Sequence, residues 1–229
     1  MLIKGFQKLT LLDYPGKTAC TVFTGGCNFR CPFCHNAGLV VKMDADVIDE
    51  KEVFAHLEKR KGILDGIAIT GGEPLLQGDI EDFLEKIREY DYAIKLDTNG
   101  SFPEKLERII KNGLCDYIAM DIKNSKQRYG ETIGLLAYDT SAVEKSAELI
   151  MNSGVDYEFR TTITKNFHTA TDIENIGEWL RGAKKYYLQN FVDSGNLIDG
   201  STRGQSKEEM QALLAVVKEY IPSAEIRGL

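Results

Sequence analysis

Short apolar runs alternate with amphipathic stretches along most of the chain, and no other feature of the sequence restricts the fold as much. The apolar runs are Ala19 to Thr24, Ile67 to Thr70, Ala93 to Asp97, Tyr117 to Asp121, Tyr157 to Ile163 and Tyr186 to Gln189. Their length and residue types predict strands. Between them, "DIEDFLEKIREY" places Ile80, Phe83, Leu84 and Ile87 at the i, i+3, i+4, i+7 spacing of one buried helical stripe. "PEKLERIIKNG" opens with Pro103 in its first turn, aligns Leu106, Ile109 and Ile110, and stops at Gly113. "TDIENIGEWL" groups Ile173, Ile176 and Leu180. "SKEEMQALLAVVKEYIP" starts on a capping box, Ser206 with Glu209, aligns Met210, Leu213, Leu214 and Val217, and ends at Pro222. Weaker helical patterns cover 49–61 and 139–153.

Strands that are each followed by a helix make a parallel α/β protein. Pattern alone leaves two closures open, a doubly wound sheet and a barrel-like curl. A full eight-stranded barrel takes about 250 residues. Six repeats in 229 residues suit an incomplete (β/α)6 TIM-like barrel, which is the expected fold. One domain over 1–229 is expected, with its core at about 18–191. Residues 192–229 would add a C-terminal helix and a short extended end.

Charge narrows the function classes. Lys and Arg number 28 against 35 Asp and Glu, a net charge of -7. A chain-wide basic footprint is absent, so nucleic acid is not an expected partner. No apolar run approaches the length of a membrane span, and "MLIKGFQKLTLLDYPGK" lacks the long apolar core of a secretory signal. A cytoplasmic setting is therefore expected, where thiols stay reduced. Five cysteines, three of them clustered, read as a metal site before they read as a disulfide framework.

The cluster is "TGGCNFRCPFCHN", residues 24–36, with Cys27, Cys31 and Cys34 in C-x3-C-x2-C spacing. A zinc site wants four ligands, usually from two knuckles. His35 directly follows Cys34, and adjacent residues rarely converge on one tetrahedral ion. Cys115 stands alone at the start of a strand. A disulfide conflicts with the compartment. A purely structural role conflicts with a polar, glycine-rich loop at a strand end, where sites are built. What remains is an iron–sulfur cluster. Four-iron clusters are usually held by four thiolates, so three would leave one iron open, as catalytic metal sites do.

C-x3-C-x2-C with Phe33 before the last cysteine resembles the signature of the radical S-adenosylmethionine (radical SAM) superfamily. The longer string "CNFRCPFCHN" is similar to activating enzymes of glycyl radical enzymes. Within these it is most similar to the branch of anaerobic ribonucleoside-triphosphate reductase activating proteins. The resemblance implies a radical SAM core with one [4Fe-4S] cluster on Cys27, Cys31 and Cys34, and S-adenosylmethionine (SAM) chelated to the open iron. The cofactor carries the chemistry and the protein positions it.

Four further strand ends agree with the family's order of motifs. "TGGEPLL" (70–76) has Gly71 and Gly72, whose backbone can approach a ligand closely, and Glu73, whose carboxylate can pair with an ammonium. Read plainly, it is a strand-to-helix turn. "LDTNG" (96–100) ends the third run and is otherwise an ordinary turn. "AMDIKN" (119–124) puts Asp121 and Lys123 on one face, which a salt bridge would also explain. "YEFRTTITK" (157–165) holds Arg160, with Thr162 on the same face, where a salt-bridged arginine is the plain alternative. The resemblance implies that Phe33, Gly71, Gly72, Glu73, Asp97, Lys123, Arg160 and Thr162 surround SAM. It implies a monovalent cation at Asp97, Thr98, the Ala119 carbonyl and Asp121. In "YYLQNF", Phe191 stands where many activating enzymes have a histidine, so no contact is assigned there. His56 and His168 read as satisfied surface residues, and His35 as packing near the cysteines. No nucleophile–base constellation is present, so no catalytic residue is expected beyond those that position the cofactor.

The implied function is activation of a partner glycyl radical enzyme, anaerobic ribonucleotide reductase by the branch, with reduced flavodoxin or ferredoxin as electron donor. A monomer is expected. No extra cysteines lie between Cys34 and Gly71, so a second cluster is not expected there. The long connection 124–140 is a candidate contact for the partner's glycine loop. Alternative targets are a pyruvate formate-lyase-like enzyme, a small molecule or a peptide. A non-enzymatic zinc or iron–sulfur module would leave "GGEP" and the strand-end charges unexplained.

Overall fold

The computed structural model describes residues 1–42, 46–193, 195 and 197–229. Its elements in chain order are β1 (Ile3–Thr10), β2 (Ala19–Thr24), α1 (Glu50–Lys59), β3 (Gly66–Gly71), α2 (Ile80–Arg88), β4 (Ala93–Thr98), α3 (Pro103–Lys111), β5 (Tyr117–Asp121), a one-turn α4 (Tyr129–Thr132), α5 (Ser141–Asn152), β6 (Asp156–Ile163), α6 (Ala170–Trp179), β7 (Tyr186–Asn190), α7 (Lys207–Lys218) and β8 (Glu225–Arg227). The strands form one sheet in the order β1 to β8. β1 lies antiparallel to β2, and every later pair is parallel.

That order settles the closure. A doubly wound sheet reverses its strand order at a switch point. Here each parallel strand lies beside the next in sequence, so the crossovers all wind one way and the sheet curls as in a barrel. β1 and β8 remain as edges among the described residues, so the barrel is incomplete.

β1 was not anticipated, and β8 was expected only as a short extended end. β1 is half-exposed along most of its length and is held by pairing to β2 rather than by an apolar face. β8 has three residues, too few to show a period. The remaining strands and helices follow their periodicity, apart from the one-turn α4, which lies within the 124–140 connection. Ile80, Phe83, Leu84 and Ile87 of α2 are all buried, each contributing about 1.5–3 kcal/mol relative to exposure. Ser206 and Glu209 form the reciprocal cap of α7, and Thr169 and Asp172 make a second one on α6.

The strands alternate between two environments. One face carries Ile94, Leu96, Ile118, Met120, Phe159 and Leu188 into the apolar core shared with the helices. The other carries Lys95, Asp97, Asp121, Glu158 and Arg160, joined to one another by ion pairs inside the barrel. At the strands' N-terminal ends, Tyr14 from the loop after β1 packs its ring 6.0 Å from that of Tyr117. With Ala19 and Ala93 it forms a small apolar plug, so the open end lies at the strands' C-termini.

Candidate active site

The three clustered cysteines follow β2 at that open end. Their loop is anchored by aromatics rather than by regular structure. Phe29 is buried, with edge contacts to Tyr129 and Tyr138 at 6.3 and 5.4 Å. Phe33 is buried against Phe167 and His168. Backbone bonds tie the loop to its neighbours: Arg30 N–H donates to the Ile133 carbonyl, and Asp199 N–H donates to that of Pro32.

The loop after β3 locks onto the cysteine loop. Gly72 N–H donates to Thr24 O and Glu73 N–H to Gly26 O, both at 2.9 Å. The Asn36 amide donates to Gly71 O at 2.7 Å. A Cβ on Gly72 would fall 1.8 Å from the Gly26 carbonyl oxygen, and one on Gly71 2.3 Å from Thr24 N. Gly71 also takes φ +114°, which side chains other than hydrogen rarely allow.

Cys27, Cys31 and Cys34 all face one cavity of about 240 Å³, together with Phe33, Gly71, Gly72, Asp97, Thr98, Asp121, Lys123, Arg160 and Thr162. These residues come from the ends of β2, β3, β4, β5 and β6. The thiols are unpaired with one another. Burial pushes the Cys31 thiol up to about 12 and raises Cys27 and Cys34, while the Lys123 ammonium opposes the shift at all three. A thiol in such a place gives up its proton when a soft metal replaces it. Among the described residues no three His, Cys, Asp or Glu side chains converge on a single-ion site. Three thiols facing one cavity make a soft donor set of the kind that iron–sulfur clusters and zinc use.

The ionic wall opposite is fully paired. Arg160 Nε donates to Asp121 at 2.9 Å, and its terminal nitrogens donate to Asp97 at 3.3 and 3.4 Å. Lys123 donates to the other oxygen of Asp121 at 3.0 Å. Lys95 donates to the other oxygen of Asp97. Burial pushes both carboxyls up, but the Arg160 guanidinium, with Lys95 for Asp97 and Lys123 for Asp121, holds them below the usual range.

Several expectations are revised. Glu73 does not present a carboxylate to the cavity. It is wholly buried, and accepts from Leu75 N–H, the Thr98 hydroxyl and Asn99 N–H at 2.7–3.0 Å. Burial pushes its carboxyl up to about 7. Its place is structural, joining the end of β3 to the end of β4. Of the oxygens expected to hold a monovalent cation, those of Asp97, Thr98 and Asp121 come from residues that line this same cavity. Both carboxylates are occupied by side-chain cations, and the Thr98 hydroxyl turns to Glu73; Ala119 sits in β5 in register with Asp97. His168 is not on the surface but 2% exposed. Its Nδ1 accepts from Thr164 N–H at 3.1 Å, so Nε2 carries the proton and donates to the Lys123 carbonyl at 2.8 Å. His56 is half-buried against Phe6 and the Lys8 carbonyl.

Other residues at the site were not singled out from the sequence. Gln189 of β7 lines the cavity beside Thr162, its partner in register. Phe191, to which the sequence reading assigns no contact, stacks on His35 at 5.3 Å. Asn99 reaches Cys27 Sγ at 3.8 Å. Glu158 is buried beneath Arg160 and is gripped by Arg227 of β8 through two bonds of 2.8 Å. Lys95 and Glu158 were readable in principle, because each is a charge two positions before Asp97 or Arg160 in its strand.

Comparison with known proteins agrees with this geometry. The family model described as the radical SAM superfamily matches residues 21–185, from β2 through α6. A Methanocaldococcus jannaschii protein named "putative glycyl-radical enzyme activating enzyme" is 30% identical over 235 residues, covering 100% of this chain and 96% of that protein. The pyruvate formate-lyase-activating enzyme of Clostridium pasteurianum is 30% identical over 127 residues, 53% of this chain and 52% of that enzyme. Among solved structures, Streptococcus suis SuiB bound to its precursor peptide SuiA superposes with a TM-score of 0.71 over 91% of this chain and 48% of that one. At 17% identity that likeness speaks to the fold alone. With the superfamily model spanning the cavity's strands and a relative matched end to end, the chain belongs to the radical SAM superfamily and, within it, to the glycyl-radical enzyme activating enzymes.

Proposed function

We propose that the cavity holds one [4Fe-4S] cluster on Cys27, Cys31 and Cys34 with SAM beside it, and that the target is a glycine of a partner glycyl radical enzyme. The observation that carries this is the meeting of three unpaired thiols with the paired charges of β4, β5 and β6 around one cavity. A cluster held by Cys27, Cys31 and Cys34 would supply the one-electron reduction of SAM, and with it the means to abstract a hydrogen atom from the glycine α-carbon.

The chain's own residues position and shield. Gly71 and Gly72 bare a stretch of backbone to the cavity. Lys123 keeps its charge, because Asp121 outweighs the cost of burial, and offers an ammonium to a carboxylate such as that of SAM. Asp97, Arg160 and Thr162 form the facing wall, and Phe33 closes one side against water. Anaerobic ribonucleotide reductase is the partner that the "CNFRCPFCHN" string favours, with reduced flavodoxin or ferredoxin as donor and a cytoplasmic monomer as the working form.

The test is anaerobic reconstitution with iron and sulfide, reduction, and chromatography for 5′-deoxyadenosine after SAM is added. Cleavage by the wild type, lost in Cys27→Ala, Cys31→Ala and Cys34→Ala, is the expected result. Zinc alone in the site, or a loaded and reduced protein that never cleaves SAM even with its partner, overturns the reading. Partner identity is then read from a glycyl radical signal by electron paramagnetic resonance with each candidate enzyme.

A further inference from the structure

Lys95 is the least exposed cation of the barrel interior, at 2%. A buried ammonium is costly unless it is paired and hydrogen-bonded. Lys95 meets that condition on Asp97, two residues along the same strand and on the same face. The pairing has a consequence for the whole wall. Asp97 accepts from Lys95 on one oxygen and Arg160 on the other. Asp121 accepts from Arg160 on one oxygen and Lys123 on the other. The Thr98 hydroxyl, the remaining side-chain oxygen at this level, donates to Glu73.

A hard monovalent cation is drawn to oxygen ligands by an unbalanced negative charge. Here Lys95, Arg160 and Lys123 already face Asp97 and Asp121, and the third carboxylate, Glu158, is shared between Arg160 and Arg227. One more positive charge at this depth would be repelled in a medium where charge is weakly screened. The oxygen set implied by the family resemblance therefore does not fit a metal ion in this chain.

We propose that Lys95 is the built-in counter-cation of Asp97, a positioning residue that does the work of a bound alkali-metal ion, so that this protein binds SAM independently of sodium or potassium. The proposal rests on the reading of the cavity as a SAM site. Lys95 orients Asp97, Asp97 and Asp121 together orient Arg160, and Lys123 is left aimed at the cavity.

The experiment is calorimetric titration of the cluster-loaded protein with SAM in potassium, sodium and tetramethylammonium chloride at equal ionic strength. The wild type is expected to bind SAM equally in all three. Lys95→Met, which keeps the length and loses the charge, is expected to bind about tenfold more weakly in tetramethylammonium and to recover in sodium or potassium. Wild-type binding that collapses in tetramethylammonium overturns the proposal, and that comparison needs no variant to fold. A folded Lys95→Met protein with wild-type affinity in every buffer overturns it as well. Absence of SAM binding in any buffer overturns the site reading itself, an outcome distinct from cation-dependent binding.

Discussion

Asn99 holds its amide nitrogen 3.8 Å from the sulfur of Cys27 while its carbonyl oxygen accepts both the N–H and the hydroxyl of Ser101. The second hydrogen of that amide goes to Asn28 Oδ1 at 2.9 Å, and Asn28 donates in turn to Ser101 Oγ. The three side chains fix one another, so the nitrogen end must face the sulfur. Hydrogen bonds to thiolate sulfurs raise the reduction potential of an iron–sulfur cluster. Asn99→Asp replaces the donor with a negative charge of the same shape. The reconstituted variant is expected to have a lower midpoint potential, read in a redox titration followed by electron paramagnetic resonance. An unchanged potential at full iron content would falsify the assignment.

Gly72 and the Gly26 carbonyl are too close for any side chain. The clash is with backbone, so no rotamer relieves it. Gly72→Ala should cost about 2–3 kcal/mol in urea unfolding and reduce cluster loading. Gly78 has open space around its Cβ position, so Gly78→Ala should change stability by no more than about 1 kcal/mol. Equal stability of the two variants would contradict the account of the loop junction.

His168 couples the end of β5 to the end of β6, through Lys123 and Thr164. Burial lowers its pKa below the ordinary 6.5. As pH falls through 6.5 the unfolded chain takes up a proton that the folded chain refuses, so stability falls with pH there. The slope from this residue reaches at most about 1.4 kcal/mol per pH unit. His168→Phe should flatten the melting temperature against pH between pH 7 and 5, while weakening SAM binding because Lys123 loses its backbone anchor. A curve that stays as steep as the wild type's would rule this out.

Arg227 is partly exposed, but its partner Glu158 is 1% exposed. Arg227→Met leaves a buried carboxylate with less compensation, and removing one partner of a buried pair costs about 3 kcal/mol or more. Solvent at Arg227 and the remaining Tyr117 and Arg160 contacts place the expected loss at or below that figure. Adding Glu158→Gln should recover part of it. A double variant no more stable than Arg227→Met would show that the pair is not the source.

The sequence by itself determined the parallel strand–helix repeat, because helical stripes and β-branched runs are local patterns that any tertiary arrangement must respect. It also determined the cavity's main contributors. Cysteines spaced for one loop, a double glycine, and charges set into apolar strands stand out wherever they are placed. It did not show β1, and showed β8 only as a short extended end, since pairing at a sheet edge leaves little periodic trace. It did not show that Glu73 and Thr98 turn inward to each other, that His168 is buried, or that Lys95 occupies Asp97. Which donor meets which acceptor is settled only when neighbouring strands come into register. At that point each buried carboxylate takes its partners from the protein's own donors.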